Sequence, residues 1–275
     1  MNVASALQPL LALPGVEQAA ADARTDLDAL LWNRTLKAQL THVRPEVVAR
    51  SVRATAALEG ADVSLASVRS GAAVDGSPMG RVVAAAQLMQ AELPSLVGVA
   101  RTAPAQAWAR LAAIAGAGFA ADDELGRPRS DDVVSDPLNV GLLPPAVDVL
   151  PRIQQLSLIS LESDAPAVVV SGVVHAELLG LRPFKFGNGL VARAAARLVL
   201  AVRGVDVDFL AVPESGLLGA GRPTYATVAR GYLDGGADGV ARSLVLWCAA
   251  LHEGALETAN LANSLIDSEP AEDPR

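Results

Sequence analysis

One short stretch carries the residue types that could bind an anion. Residues 182–193 read RPFKFGNGLVAR. Gly187, Asn188 and Gly189 can adopt the tight backbone that leaves amide N–H groups pointing outward, at the start of the next predicted helix. The positive end of a helix favours a negative group such as phosphate. Arg193 lies one turn further on and can reach the same position with a permanently charged guanidinium. The stretch therefore predicts an anion-binding corner.

Two apolar helical patterns must position this corner. Residues 167–181 place Val and Leu at spacings of three and four, and residues 191–200 repeat Ala, Leu and Val at the same period. Pro183 should end the first helix, because proline disfavours the helical conformation in the residue before it. The alternative interpretation of Gly-Asn-Gly is a plain helix–loop–helix corner that needs glycine only for its shape.

The segment resembles the signature of the Fic (Fido) family, H-P-F-x-[D/E]-G-N-G-[R/K]-x-x-R, whose members mostly transfer AMP from ATP to a protein hydroxyl. The positions that match in register are Pro183, Phe184, Gly187, Asn188, Gly189 and Arg193. Three functional positions differ. Arg182 stands in place of the catalytic histidine, Phe186 in place of the metal-binding acid, and Leu190 in place of the first phosphate-binding basic residue. Residues 175–181 resemble the family's helix that leads into the motif.

These three differences remove chemistry. Arg182 cannot act as a general base, because a guanidinium keeps its proton. Phe186 offers magnesium no oxygen, so no metal ligand is expected there. Leu190 removes one positive charge, although Arg182 and Lys185 are expected to restore two nearby. The sequence therefore predicts that no catalytic residue is intact and that no metal is bound. The ligand that the resemblance allows is ATP or another nucleotide, bound without magnesium. The predicted nucleotide- or anion-binding residues are Gly187, Asn188, Gly189, Arg193 and Lys185.

A second stretch, TAALEG at residues 55–60, resembles the inhibitory motif [S/T]-x-x-x-E-[G/N]. In one class of Fic proteins this motif precedes the core, and its glutamate pairs with the last arginine of the signature and blocks the γ-phosphate position. The resemblance implies that Thr55 and Glu59 are inhibitory and that Glu59 forms an ion pair with Arg193. The alternative is a solvent-facing Glu59 at the end of a helix that Gly60 caps.

The remaining candidate residues are predicted to be structural. His175 lies two helical turns before Arg182 in an apolar pattern, which favours a core histidine over a substitute base. His42 and His252 have no motif around them. Cys248, the single cysteine, lies in an apolar run and cannot form a disulfide within the chain, which predicts a reducing, cytoplasmic compartment.

Composition predicts an all-α fold. Of 275 residues 51% are apolar, mostly Ala, Val and Leu, and only 3% are aromatic, which favours close-packed helices over strands. The formal charge of −8 argues against a general nucleic-acid or anionic-membrane surface. The N-terminus lacks the pattern of a signal peptide, and the uncharged run 165–176 is too short to span a bilayer. No nucleic-acid or membrane partner is therefore expected.

Three regions are predicted along the chain. Residues 1–76 form an N-terminal helical region that includes the inhibitory-like helix, residues 77–266 the Fic-like core, and residues 267–275 a disordered acidic tail. The long acidic stretch 116–145 corresponds to the region where the family supplies a flap that aligns the protein target as an added strand. That loose resemblance, which rests on Arg127, Arg129 and Val133, allows a short β-hairpin. A solvated acidic loop is the alternative.

Three functions agree with these residues. The favoured one is a Fic-like pseudoenzyme that resembles protein adenylyltransferases, retains the anion-binding loop, lacks transfer chemistry and acts by binding. The second is an active nucleotidyl- or phosphoryl-type transferase with altered chemistry, in which Arg182 and Lys185 stabilise phosphate charge. The third is a scaffold without a ligand. A protein partner and a homodimer are compatible with all three, since fold alone does not decide function.

Overall fold

The computed structural model describes residues 2–268, and all regular structure in that range is helical. A 3-10 helix, Gln8–Ala12, precedes the α-helices, which in chain order are α1 Val16–Trp32, α2 Arg34–Ala38, α3 Leu40–Leu58, α4 Leu65–Arg69, α5 Pro78–Ala100, α6 Pro104–Gly116, α7 Ala146–Glu162, α8 Ala167–Leu181, α9 Asn188–Val202, α10 Pro213–Gly219, α11 Arg222–Leu233 and α12 Ala237–Ser268. The predicted all-α class is confirmed.

Helices α8 and α9 form the centre of the fold. In α8 only Ala167 and Glu177 are not fully buried, and in α9 only Val202 is not. A helix whose residues are buried on every face lies in the interior of the fold. Helices α5, α6 and α3 cover α9, while α7, α11 and α12 cover α8. The corner between α8 and α9 is therefore held from both sides by the rest of the chain.

Helix α3 brings the inhibitory-like segment to this centre. It packs against α5, α9 and α10, and ends at Leu58, before Gly60 with its left-handed φ of +94°. The helix begins at Leu40 and contains Pro45 within its second turn. An internal proline costs a hydrogen bond, but Val43 and Val47 on either side of it are fully packed in the core. That packing holds the extended helix in place.

The acidic stretch between α6 and α7 forms no β-hairpin among the described residues. The predicted flap is therefore an irregular loop. Two of its amides bond to the motif loop instead of to a second strand: Arg129 N donates to Pro183 O (2.8 Å), and Ser135 N donates to Lys185 O (2.9 Å). These two amides use carbonyls of the α8–α9 loop as acceptors, so the acidic stretch lies along that loop without a partner strand.

The last helix runs past its predicted end. Helix α12 extends to Ser268, so Asp267 and Ser268 of the predicted tail are helical. Residues 269–275 of that tail lie outside the described residues. Cys248 is buried in this helix as predicted, and burial raises the pKa of its thiol to about 12. The thiol therefore stays protonated and unreactive at neutral pH.

Helix α5 is the one described helix whose length and apolar composition would suffice to cross a membrane. This is weak support for a membrane span, since a packed helix of a globular domain meets the same test. Here α5 packs along α3, α6 and α9, and a third of its most apolar window is buried within the protein. Its place in the fold is that of a helix supporting the α8–α9 corner.

Candidate functional site

The α8–α9 corner has the backbone that its sequence predicts. Helix α8 ends at Leu181, Arg182 adopts a left-handed conformation with φ of +46°, and α9 begins at Asn188 directly after Gly187 with φ of +70°. A Cβ atom on Gly187 would lie 2.5 Å from Ala115 Cβ. Glycine is therefore required at position 187 for two reasons, its positive φ and the close approach of α6.

Asn188 closes the loop onto itself. Its side-chain Oδ1 accepts from Phe184 N (2.9 Å), and its Nδ2 donates to Phe184 O (2.7 Å). The amide side chain is buried, so both bonds form away from water. Asn188 thus shapes the loop, and its predicted contact with an anion stays a prediction.

Arg193 is held by the end of α3. Its guanidinium is fully buried, and Nη2 lies 2.7 Å from Glu59 Oε1. Arg193 Nε donates to Thr55 Oγ1 (2.8 Å), and Nη2 also donates to Thr55 O (3.2 Å). The predicted ion pair between Glu59 and Arg193 is present, and Thr55 is part of it. Burial is the largest influence and would lower the pKa of Arg193, but Glu59 and Tyr225 together act more strongly in the other direction, and the pKa is raised.

The Glu59 carboxylate lies at the first turn of α9. A Cβ atom on Gly189 would be 2.0 Å from Glu59 Oε1 and 3.1 Å from Arg193 Nη1. Gly189 must therefore lack a side chain for the carboxylate to reach this point. The carboxylate therefore lies at the start of α9, where the positive end of a helix favours a negative charge.

Arg182 does not add charge to this corner. Its Nη1 pairs with Asp136 Oδ2 (2.6 Å) and donates to Gly141 O (2.9 Å). The other nitrogens donate to Leu142 O (2.5 Å) and Gly180 O (3.2 Å). The expectation that Arg182 restores positive charge to the anion site is wrong, since all three guanidinium nitrogens bind the acidic loop or the end of α8. The side chain acts as a clamp on that loop.

Lys185 also has carboxylate partners. Its Nζ lies 2.6 Å from Asp131 Oδ2 and 3.6 Å from Glu124 Oε1. The hydrogen bond with Asp131 raises the pKa of Lys185 and lowers the pKa of Asp131. An anion would have to displace these carboxylates to use the ammonium, so the predicted role of Lys185 in anion binding stays a prediction.

Arg129 is the residue whose role the sequence missed. Its side chain is fully buried, and Nε donates to Arg182 O (2.9 Å). Nη1 donates to Asp131 O (2.8 Å) and pairs with Asp132 Oδ1 (3.1 Å). Arg129 and Arg182 together fasten the acidic loop to the end of α8. An arginine within an acid-rich loop is a weak sequence signal for such a role.

The two other changed motif positions form an apolar pocket beside the corner. Phe186 stacks on Phe119 with ring centroids 5.7 Å apart, and Leu190 is buried. The cavity has a volume of about 170 Å³. Its lining residues are Glu59, Val82, Ala115, Phe119, Ser135, Pro137, Phe186, Gly187 and Leu190. Phe186 puts an aromatic ring where the family has its magnesium ligand, so the residues present do not fit a magnesium site.

His175 is a core residue, as predicted. It is fully buried, its Nε2 lies 2.6 Å from the Tyr225 hydroxyl, and its ring stacks on Trp247 with centroids 4.7 Å apart. Burial lowers the pKa of His175 to about 3 and raises that of Tyr225 to about 12. The imidazole is therefore neutral at pH 7, and its Nε2 shares a hydrogen bond with the tyrosine hydroxyl.

The buried histidine predicts acid sensitivity. Because the pKa of His175 falls from 6.5 in the unfolded chain to about 3 in the folded protein, unfolding takes up a proton, and stability is lost as pH drops below 6.5. From this residue alone we expect a loss of about 1.4 kcal/mol per pH unit. Urea unfolding between pH 7 and pH 4.5 measures it, with His175→Phe as the control that keeps the stacked ring. Equal slopes in the two proteins would refute the assignment.

The helical architecture around the α8–α9 corner is that of the Fic fold. Three solved structures match it over nearly the whole chain. A Fic family protein from Desulfovibrio desulfuricans G20 superposes with a TM-score of 0.71 at 19% identity, covering 94% of this chain and 77% of that one. The predicted fold is thereby confirmed.

The other two structures differ further in sequence. Fic-1 from C. elegans, residues 134–508, gives a TM-score of 0.61 at 16% identity and covers 93% of this chain and 73% of its own. A Fic domain containing signaling protein from Bacteroides thetaiotaomicron VPI-5482 gives 0.60 at 12% identity, with 92% and 100% covered. No family model and no curated protein matches the sequence. The likeness therefore establishes the fold, and the site residues must carry any conclusion about function.

Proposed function

We propose that this Fic-fold protein does not transfer AMP and acts by binding, with its own Glu59 in the position of an external phosphate. The observation that carries the proposal is the set of contacts that the three changed motif residues make. Arg182 clamps a loop, Phe186 stacks on an aromatic ring, and Leu190 is buried. None of the three can accept a proton, hold magnesium or bind phosphate in this arrangement.

The loss of these groups matters because phosphoryl-type transfer depends on them. A protein supplies such a reaction mainly with positioning, metal-borne charge and a group that orients or deprotonates the nucleophile. Here His175, the histidine of α8, is fully buried and hydrogen-bonded to Tyr225. The retained parts are the start of α9 and Arg193, which bind charge without reacting.

The space beside the corner supports the same proposal. Ligand pockets for small molecules usually measure about 300–1,000 Å³, whereas this one measures about 170 Å³. A nucleotide would need Glu59 to leave the start of α9. Arg193 would then be a buried cation without its carboxylate, which favours an incoming phosphate. The ion pair therefore opposes nucleotide binding, and binding at this corner would need no magnesium.

A nucleotide titration tests the proposal. The parent and Glu59→Ala are mixed with ATP, ADP or AMP, with and without magnesium, and followed by calorimetry, thermal shift and labelled-AMP incorporation. We expect no incorporation by either protein, no thermal shift for the parent, and metal-independent stabilisation of Glu59→Ala. Glu59→Gln, which keeps the shape of the side chain, is measured in parallel in case the alanine variant does not fold.

Two outcomes would replace this proposal with another function. Magnesium-dependent AMP transfer by the parent would indicate a transferase with altered chemistry. A folded Glu59 variant that responds to no nucleotide would indicate a scaffold without a nucleotide ligand.

The proposed partner is a protein. The charge of −8 supports a partner other than nucleic acid, and the single buried cysteine supports a cytoplasmic location.

A further inference from the structure

Helix α7 is apolar on two opposite faces. Its inner face packs against α6 and α8 and buries Val149, Ile153 and Leu156. A surface helix usually carries polar or charged residues on its other face. The outer face of α7 instead carries four large apolar side chains, whose exposed fractions are 80% for Val147, 54% for Leu150, 47% for Leu158 and 39% for Leu161. In the described part of the chain, this outer stripe faces solvent.

The outer stripe is a continuous surface and not a set of scattered side chains. Its four residues follow one another at spacings of three, eight and three, so they lie along one side of the helix. Among the described helices, no other carries more than three exposed large apolar residues. Single exposed apolar residues are normal on a protein surface, whereas a contiguous patch marks a site of interaction. The outer stripe is therefore expected to be covered by another molecule.

The spacing within the outer stripe is symmetric about Gln154, an exposed residue at its centre. Val147 and Leu161 each lie seven residues from it, and Leu150 and Leu158 each lie four. A two-fold dimer contact is self-complementary, so residue i of one copy meets residue j of the other, and j meets i. When two α7 helices pair antiparallel with Gln154 on the axis, every apolar residue of the stripe meets an apolar residue. A different partner protein would require no such symmetry.

The polar groups at the centre and the rim are compatible with this pairing. The two Gln154 amides can each donate and accept, so they can bond to one another across the axis. Asp148 and Glu162, both exposed, lie at one edge of the stripe, where Asp148 would be near Glu162 of the second copy. Exposed like charges of this kind are screened by salt. The contact is therefore expected to tighten as the salt concentration rises.

The size of the outer stripe predicts a weak dimer. The 17 residues of α7 form a helix about 25 Å long and about 10 Å wide, so the two paired stripes bury on the order of 500 Å². A stable dimer usually buries about 1,200 Å² or more, and smaller contacts belong to transient complexes. Monomer and dimer are therefore both expected in solution, in proportions that the protein concentration sets.

We infer that the outer stripe of α7 is the contact surface for a second copy of this chain, with the two helices antiparallel about Gln154. The inference goes beyond the proposed function, because no residue of the outer stripe lines the pocket or joins the ion pair at the α8–α9 corner. Its tests use cross-linking and molecular mass without any nucleotide, so either claim can fail alone.

Cross-linking tests the position of the axis. Gln154→Cys brings two thiols together in the dimer, and diamide, which takes up their two protons and two electrons, should join them by a disulfide. The native Cys248 is buried and gives no background. Gln155→Cys is the matched control, because Gln155 is also exposed but points about 100° away around the helix, outside the reach of a disulfide. Equal dimer yields on a non-reducing gel, or no dimer from Gln154→Cys, would overturn the inference.

A mixture of two variants tests the direction of the helices. Antiparallel pairing places Val147 of one copy opposite Leu161 of the other. Val147→Cys and Leu161→Cys should therefore form a mixed disulfide when they are oxidised together, and each alone should form little. An affinity tag on one variant identifies the mixed product. Linkage of each variant mainly to itself would indicate parallel helices and overturn the pairing.

Sedimentation equilibrium measures association of the parent. Its average mass should rise with protein concentration, and further with salt. Leu158→Asp, which puts a charge against Leu150 of the second copy, should weaken association at least about tenfold. Leu256→Asp on α12 is the control, since Leu256 is similarly exposed. A parent that stays monomeric up to about 1 mM, or equal weakening by the two variants, would contradict the proposed surface.

Discussion

Replacing Glu59 with alanine is expected to lower the free energy of unfolding by about 3–5 kcal/mol, the usual cost of removing one partner of a buried ion pair. The physical reason is Arg193, whose fully buried guanidinium would lose its carboxylate. Its bonds to Thr55 would remain, but they neutralise no charge. Urea unfolding at pH 7 measures the change.

The Glu59 variant has a matched control in an exposed ion pair. Asp28 pairs with Arg24 on the surface of α1 at 2.9 Å, with both side chains largely exposed. Asp28→Ala should cost no more than about 0.5 kcal/mol, because such pairs contribute little in water. Added phosphate should restore part of the stability of Glu59→Ala and none of that of Asp28→Ala. Equal losses in the two variants would mean that the ion pair between Glu59 and Arg193 contributes no more than a surface pair.

Replacing Arg182 with alanine is expected to cost a similar amount, about 3–5 kcal/mol, and to release the acidic loop. The change leaves Asp136, mostly buried, without its cation, and removes donors from the carbonyls of Gly141 and Leu142. Gly141 and Leu142 are exposed, so water can replace these donors, and the cost comes chiefly from Asp136, whose side chain is 19% exposed. Without the guanidinium, the loop also loses the bonds that tie it to α8. Hydrogen exchange should therefore quicken in residues 131–144, which urea unfolding alone would not reveal.

Two further variants make the Arg182 result specific. Arg182→Lys keeps the charge but has one nitrogen in place of the fork, so it should fall between the parent and Arg182→Ala. Arg127→Ala changes an exposed arginine of the same loop and should leave stability within about 0.5 kcal/mol of the parent. Unchanged exchange in residues 131–144 of Arg182→Ala would show that Arg129 holds the loop by itself.

The family's usual residue at position 182 would therefore meet a structural obstacle here. A histidine could accept a proton, but it cannot reach Asp136, Gly141 and Leu142 together as the guanidinium does. Arg182→His would therefore gain a group that can accept a proton and lose the contacts that hold the acidic loop.

The sequence by itself determined the parts of this protein that depend on local rules or on a spaced motif. The period of the apolar residues with Pro183 placed α8 and the loop before α9, and Gly187 marked the left-handed turn. The pair between Glu59 and Arg193 was implied by the resemblance of residues 55–60 and 182–193 to two family motifs. His175 followed from its apolar surroundings, since a helix that is apolar all round is buried.

Only the tertiary structure decided which partners the charged side chains take. Arg182 and Lys185 lie close to the anion-binding corner in sequence, yet the aspartates they bind are 46 and 54 residues away. Several acids of the same loop compete for these cations, and sequence spacing does not rank them. The stack of Phe186 on Phe119 depends in the same way on where the loop after α6 is placed. The sequence predicted a positive site, whereas the structure has a corner filled by Glu59 beside a small apolar pocket. The reason is that contacts between residues far apart in the chain set the direction of each side chain.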